Sequence, residues 1–245
     1  MKIFFLSIYM GFFFFSCANN ERIENEKNGD DELMANNDNP QINNTDGKLY
    51  LRTLMQGSSL GIDWIYLGDD GTIVYNPVDG VNEINLAAER ANNANNMGKY
   101  KIAGNQLLIN WDNGSKSNLG LEFSNDDISY IDGGIATRQR GVPAGFTLNG
   151  SYAGGAITKS LALTNTYIFK NDGSFILKRL GSATTKDGET SKAGDELPGH
   201  YTITGNTLTL SFEDGSKIKT VIGIMNMRGG LQYLVLNQST YRLQH

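Results

Sequence analysis

One hairpin sequence is written twice in this chain, about a hundred residues apart. Residues 98–116 read GKYKIAGNQLLINWDNGSK, and residues 199–217 read GHYTITGNTLTLSFEDGSK. A short Asp-Gly turn precedes each segment at nearly the same distance. Near-constant spacing across separate motifs is the mark of an internal duplication, so the sequence predicts two copies of one domain.

The Gly-Asn pair in each hairpin fixes which side chains share a face. A two-residue turn there places the apolar residues on one side of the sheet. The predicted pairs are Ile102 with Leu107, Tyr100 with Ile109, Gly98 with Trp111, Ile203 with Leu208, Tyr201 with Leu210, and Gly199 with Phe212. The other face of the second copy is then polar, with His200/Ser211, Thr202/Thr209 and Thr204/Thr207 as pairs.

The Asp-Gly turns require a different loop. A two-residue turn at Asp214-Gly215 would carry Lys217 to the apolar side, so a three-residue loop with a left-handed Gly215 is predicted. The inward residues are then Ser216, Ile218, Thr220, Ile222 and Ile224, and in the first copy Ser115, Ser117, Leu119, Leu121 and Phe123. The same loop at Gly71 and Gly173 aligns Ile65 and Leu67 with Ile73 and Tyr75, and Tyr167 and Phe169 with Phe175 and Leu177.

Each copy therefore has about seven to eight short antiparallel strands that are apolar on one side. A sheet of this kind closes into a small up-and-down barrel or folds over as a sandwich. The order of motifs resembles the lipocalin-like domains of Bacteroidota-type lipoproteins: Gly-x-Tyr at 150–152, Asn-Asp-Gly at 171–173, then Gly-x-Tyr-x-Ile-x-Gly-Asn-x-Leu at 199–208. The resemblance implies an all-β chain with two tandem lipocalin-like barrels at residues 47–140 and 146–245, joined by a linker at 141–145.

The N-terminus carries a predicted export signal. Residues 1–16 are one lysine and a run of large apolar side chains that is too short to span a bilayer. The Ser16-Cys17 pair that closes the run resembles a bacterial lipobox of the looser Bacteroidota type. The resemblance implies that Cys17, the only cysteine, receives palmitate or a similar acyl chain. The alternative is ordinary cleavage after Ala18.

Residues 17–46 are Asn-rich and acidic, with few side chains to bury. Such a segment cannot offset its own ordering entropy, so we expect a flexible tether with a reach on the order of 30 Å. The expected location is the cell envelope, on the periplasmic face or the cell surface of the outer membrane, with the membrane contacted through the N-terminal lipid.

Charge and residue types argue against several classes of function. The formal charge of −5 offers no electrostatic footprint for nucleic acid. The two histidines, His200 and His245, have no recognisable acid/base, nucleophile or metal spacing. The paired aspartates are typical of turns. No catalytic residue, metal site or cofactor is therefore predicted.

The longest predicted loops lie at the same place in both copies, at residues 77–97 and 181–198. Loops of this length are either tolerated insertions or functional segments such as a lid or a binding rim. The first has a weak helical stripe that predicts a short helix over the barrel mouth, formed by Ile84, Ala87, Ala91 and Ala94.

Aromatic side chains are the candidate ligand or interface residues. By the hairpin register, Trp64, Tyr66 and Val74 lie on the outer face of the first copy, which indicates a surface that docks the second domain or a partner. The alternative is a register off by one residue, which would put Trp64 inside its own barrel. The candidate set is Trp64, Tyr66, Tyr100, Trp111, Tyr167, Tyr201 and Phe212.

Two functions remain open. The first is non-enzymatic binding of a small apolar molecule, a glycan or an envelope protein. The second is a scaffolding protein whose barrels are filled by their own side chains. An enzyme is a third alternative, and it would need His200, Tyr201 or an acidic residue to converge in a cleft.

We predict that mass spectrometry of the detergent-extracted protein will show a chain that begins at Cys17 and carries an acyl group. The same spectrum reports any retained ligand and the oligomeric state. A chain that begins after Ala18 and carries no acyl group would contradict the lipoprotein assignment.

Overall fold

A computed structural model describes residues 47–244, apart from residues 58, 83, 158–160, 185–189 and 227–230. The predicted signal peptide, Cys17 and the tether at 17–46 lie outside the described residues.

The first copy is a closed antiparallel barrel in which the last strand pairs with the first. Helix α1 (Leu86–Asn93) and a 3-10 helix (Ala94–Asn96) lie between its third and fourth strands. Its strands are β1 (Gly47–Gln56), β2 (Ser59–Gly68), β3 (Thr72–Tyr75), β4 (Met97–Ala103), β5 (Gln106–Trp111), β6 (Lys116–Ser124), β7 (Asp127–Ile131) and β8 (Gly134–Gln139).

The second copy repeats this topology, again with the last strand paired to the first. Its strands are β9 (Gly150–Ile157), β10 (Leu161–Phe169), β11 (Ser174–Thr184), β12 (Thr190–Thr204), β13 (Thr207–Phe212), β14 (Lys217–Asn226), β15 (Gln232–Leu236) and β16 (Ser239–Gln244). The prediction of an all-β fold with two tandem antiparallel barrels is confirmed.

The predicted strand registers are also confirmed. Tyr100 faces Ile109 and Tyr201 faces Leu210 across the two repeated hairpins. The turn glycines have positive φ, for example 86° at Gly215, as the three-residue loop requires. The register at Gly71 pairs Ile65 with Tyr75 and Leu67 with Ile73, which excludes a slip of one residue.

Five residues that the sequence analysis placed on the inward side are exposed, namely Ile102, Ser115, Phe123, Ser216 and Ile218. Phe123 is 48% exposed because the register of β6 against β7 shifts between Glu122 and Phe123. Ile218 lies opposite Leu210 as expected but is 43% exposed, since it is only the second residue of β14.

The predicted loop at 181–198 is wrong. Most of this segment belongs to β11 and β12, which pair continuously from Ser174↔His200 to Thr184↔Thr190 and form a long ribbon. The ribbon is rich in Thr, Ser and Lys, and its exposed polar side chains give no apolar alternation that would mark a strand.

Large side chains occupy the interior of both barrels. The first interior is packed with aliphatic residues around Tyr50 and Ile65. The second holds a network of aromatic rings in which Phe169 meets Tyr201 edge-on with centroids 4.9 Å apart, and Phe175 meets Phe212 at 5.2 Å. Aromatic pairs of this geometry add to the stabilisation from apolar burial.

One end of the first barrel contains a buried ion pair. Arg52 Nη1 lies 2.9 Å from Asp63 Oδ2, and the Arg52 side chain also donates to the carbonyl oxygens of Ile131 and Asp132. Tyr75 Oη donates to the same Asp63 oxygen at 2.9 Å. Because the buried polar groups of this cluster have hydrogen-bond partners within it, we interpret the cluster as structural.

The two barrels contact each other through a third apolar cluster. Trp64 is fully buried there, beside Val221 and Val235 of the second barrel, and its ring lies against Gly223. The indole Nε1–H donates to the carbonyl oxygen of Asn237. The outer face of β2 therefore docks onto the second barrel.

A loop of the first barrel adds a polar contact to this interface. Thr207 Oγ1 accepts hydrogen bonds from the backbone N–H groups of Val81 and Asn82, each at 2.8 Å. Gly80 has a φ of 79° and lies so close to the Thr207 methyl group that a side chain would collide with it. Thr207 was predicted to lie on a polar exterior, but docking buries it.

We predict that Thr207→Val lowers the free energy of unfolding by about 1–3 kcal/mol, because it leaves two buried backbone donors without an acceptor. Thr209→Val is the matched control on the same strand, and it should change stability by no more than about 0.5 kcal/mol. Urea unfolding of both variants measures the difference. Equal effects would contradict the docking role of the hydroxyl group.

Candidate functional site

A cleft lies where the two barrels meet and has a volume of about 520 Å³. Residues from both barrels line it, and most of them are polar or glycine. They are Gly47, Leu49, Tyr66, Val81, Asn82, Arg138, Gln139, Arg140 and Gly141 from the first barrel and its linker, and Gly205 and Asn206 from the second.

The linker forms one wall of the cleft. Gly141 has a φ of 75°, and a side chain there would lie about 3.1 Å from the Gly205 Cα. The next residue, Val142, donates its N–H to the carbonyl oxygen of Gly205 at 3.1 Å. Two glycines therefore let the linker backbone lie directly on the repeated hairpin turn of the second barrel.

Helix α1 holds the loop that leads to Val81 and Asn82, two further residues of the cleft lining. The Glu89 carboxylate accepts hydrogen bonds from the N–H groups of Val78 and Asp79 and from Asn93 Nδ2. These contacts shape the loop that continues to Val81 and Asn82 in the cleft. Burial raises the pKa of Glu89, although its hydrogen bonds oppose the change.

The helix was predicted correctly, but its buried face was not. Ala87 and Ala91 of the predicted apolar stripe are exposed, whereas Glu89 is fully buried. Small alanines offer little apolar area, while the carboxylate supplies acceptors that the backbone of the preceding loop needs. The helix lies where β3 ends and β4 begins, with Arg90 Nε 3.0 Å from Asp112 Oδ2.

The charged side chains that line the cleft are both arginines. Arg138 Nη1 lies 3.6 Å from Asp127 Oδ2, while no ion pair to Arg140 is found within the described residues. Desolvation acts to raise the pKa of Asp127, but the hydrogen bond from Tyr50 Oη, the Ile128 N–H and the charge of Arg138 outweigh it and lower the pKa. Asp127 therefore stays ionised beside Arg138.

A second, smaller concavity lies on the outer side of the β11–β12 ribbon. Its volume is about 390 Å³, and Leu180 and Ala193 are among its lining residues. Leu180 is 60% exposed. The surface is shallow, formed by one sheet, and it brings no cluster of polar groups together.

The predicted site residues divide among three places. Tyr100 and Trp111 pack in the first barrel interior, and Tyr167, Tyr201 and Phe212 pack in the second. Trp64 and Tyr66 lie in the cluster between the barrels, and only Tyr66 of the seven candidates also lines the cleft. As ligand contacts these residues stay predictions.

The sequence interpretation missed the arginines and amides of the cleft. Arg138 and Arg140 stand in the segment RQRG at 138–141, just before the predicted linker, and Asn82 lies in the first long loop. The sequence pattern that could have indicated the cleft is this pair of arginines next to Gly141, the first residue of the linker. His200 is exposed on β12, and His245 lies outside the described residues.

Within the described part of the chain, no group of three or more His, Cys, Asp or Glu side chains is placed to hold a metal ion. No helix in that part is long and apolar enough to cross a membrane. Comparisons of the chain with protein-family models, curated proteins and solved structures find no match.

We predict a pH dependence that isolates Glu89. Its folded pKa is raised, so the folded chain holds this proton more tightly than the unfolded chain, and folding loses stability as the pH rises above the ordinary value of 4.5. The free energy of unfolding of the wild type minus that of Glu89→Gln should therefore fall with pH over this window and then level off. Urea unfolding of both proteins at a series of pH values measures it, since other titrations cancel in the difference. A flat or rising difference would disprove the assignment.

Proposed function

We propose that this protein is an exported, lipid-anchored binding module that holds a saccharide in the cleft between its barrels and catalyses no reaction. The observation that carries the proposal is the cleft itself, a polar concavity built by both copies, next to barrel interiors that hold large apolar side chains. Its volume of about 520 Å³ lies in the range of small-molecule sites, roughly 300–1,000 Å³.

The lining favours a glycan over an apolar molecule. An apolar ligand would need an empty apolar chamber, and the described interiors are occupied by tyrosine, phenylalanine and leucine side chains. The cleft instead offers the amides of Asn82, Gln139 and Asn206, which suit the hydroxyl groups of a sugar.

The proposed attachment also fits this location. Gly47, where the predicted tether enters β1, lines the cleft. An acyl chain on Cys17 would hold the cleft within a tether's reach of the membrane, on the order of 30 Å. A glycan near the envelope surface would then be within range.

The full mature protein, purified in detergent and labelled with a fluorophore, should bind a subset of saccharides on a printed glycan array. Gln139→Trp places a large ring in the cleft, so we expect it to abolish that binding. Gln106→Trp, on the exposed end of β5 in the first barrel, is the matched control and should leave the binding pattern unchanged.

An array with no bound saccharide, or equal binding by wild type and Gln139→Trp, would reject the cleft as a glycan site. Either result would favour the second candidate function, an interaction with an envelope protein.

That second candidate is supported by an exposed apolar stripe on the first barrel. Met55 pairs with Leu60 at the end of the β1–β2 hairpin, and both are at least half exposed. Ile135 pairs with Tyr130 and continues the stripe onto β8 and β7. Exposed apolar patches of this kind mark protein contacts.

A further inference from the structure

We propose that the saccharide bound in the cleft is acidic, and that Arg138 and Arg140 hold its anionic group. This inference rests on the proposed function and narrows it from any glycan to one that carries a negatively charged group.

The charge balance of the cleft is the first argument. The chain has a formal charge of −5, yet the charged side chains that line the cleft are two arginines. The carboxylate of Asp127 forms an ion pair with Arg138, and the positive field of Lys48 also acts on it. A local excess of positive charge in a concave surface attracts anions.

The second argument is that both guanidinium groups have donors to offer. Arg140 is exposed, and no hydrogen bond from its side chain is found within the described residues. Arg138 is held only by an ion pair of 3.6 Å, which is longer than a hydrogen bond, and its side chain is 42% exposed. Partly exposed pairs of this kind are weak, so Arg138 can turn to a ligand at little cost.

Asp127 does not need Arg138 in order to remain satisfied. Its Oδ1 accepts from Tyr50 Oη and from the Ile128 N–H. An incoming anion can therefore engage Arg138 while the carboxylate keeps two hydrogen bonds. The planar guanidinium fork matches the two oxygens of a carboxylate and also suits a sulfate ester.

The amides add acceptors for sugar hydroxyl groups. Asn206 Nδ2 donates to the carbonyl oxygen of Ile222 at 3.0 Å, and Gln139 Nε2 donates to that of Thr137 at 3.2 Å. Each NH₂ group uses one of its two N–H donors in this bond, and each side-chain oxygen can still accept from a sugar hydroxyl group. The site thus combines donors for an anion with acceptors for hydroxyl groups, which is the pattern of an acidic sugar.

Isothermal titration calorimetry on the full mature protein in detergent tests this inference with matched ligands. The probes are trigalacturonic acid, its fully methyl-esterified form, which removes the charge and keeps the sugar, and a sulfated chondroitin disaccharide. We expect at least one charged probe to bind, and trigalacturonic acid to bind at least about tenfold more tightly than its ester if carboxylate is the group recognised.

Arginine variants assign the contact. Arg138→Gln and Arg140→Gln should each weaken binding of the charged probe about tenfold or more. Arg140→Lys keeps the charge but loses the planar guanidinium group, so its affinity should lie between those of the wild type and Arg140→Gln. Arg242→Gln, an exposed arginine on β16, is the matched control and should bind like the wild type. Binding should weaken as the NaCl concentration rises.

Equal binding of trigalacturonic acid and its ester, with no binding of the sulfated probe, would overturn this inference and leave the proposed function intact. An equal loss of affinity for the charged probe in Arg140→Gln and in the control Arg242→Gln would also overturn the inference. Arginine-dependent binding to phosphatidylglycerol vesicles without any saccharide binding would assign the cleft to lipid headgroups. If the glycan array is empty as well, the proposed function fails together with the inference.

Discussion

Closure of each sheet on itself is the constraint on which the rest of the structure depends. Pairing of β8 with β1 and of β16 with β9 satisfies the edge strands within each copy. A closed sheet of eight strands has room inside for its own side chains or for one small ligand, and in both copies large side chains occupy the interior. The outward faces are then the remaining surfaces for docking and binding. The site proposed here accordingly lies outside both barrels.

Duplication provided two copies, and divergence gave them different uses. The hairpin turn at Gly205-Asn206 is covered by the linker and by the loop that reaches Thr207. The equivalent turn at Gly104-Asn105 in the first copy is exposed. Helix α1 separates the third and fourth strands of the first copy, whereas in the second copy these two strands are longer and pair as the β11–β12 ribbon. The same core therefore supports two different exteriors.

The sequence was sufficient for those parts of the fold that follow a local rule. Strand alternation and a two-residue turn predict that Tyr100 pairs with Ile109. The three-residue loop requires a residue with positive φ, and the glycine at position 215 meets that requirement. The ribbon at β11–β12 was not predictable in this way, because both of its strands are largely polar. The burial of Glu89 was missed because its partners are backbone groups of a loop, which no side-chain pattern reveals. The pairing of β1 with β8 brings Gly47 close to Arg140, and only docking brings Gly205 and Asn206 to them, so the cleft could not be predicted.

The contact between the barrels is heterologous, since the outer face of β2 in one copy meets β14 and β15 of the other. Repeated between identical subunits, a head-to-tail contact of this kind continues into an open filament unless its rotation closes a ring. The two copies differ at the residues that would propagate it. The second copy has Thr166 at the position of Trp64, and the first has Gln106 and Gly120 at the positions of Thr207 and Val221. Each outer end of the pair thus lacks the residues that form its half of this junction.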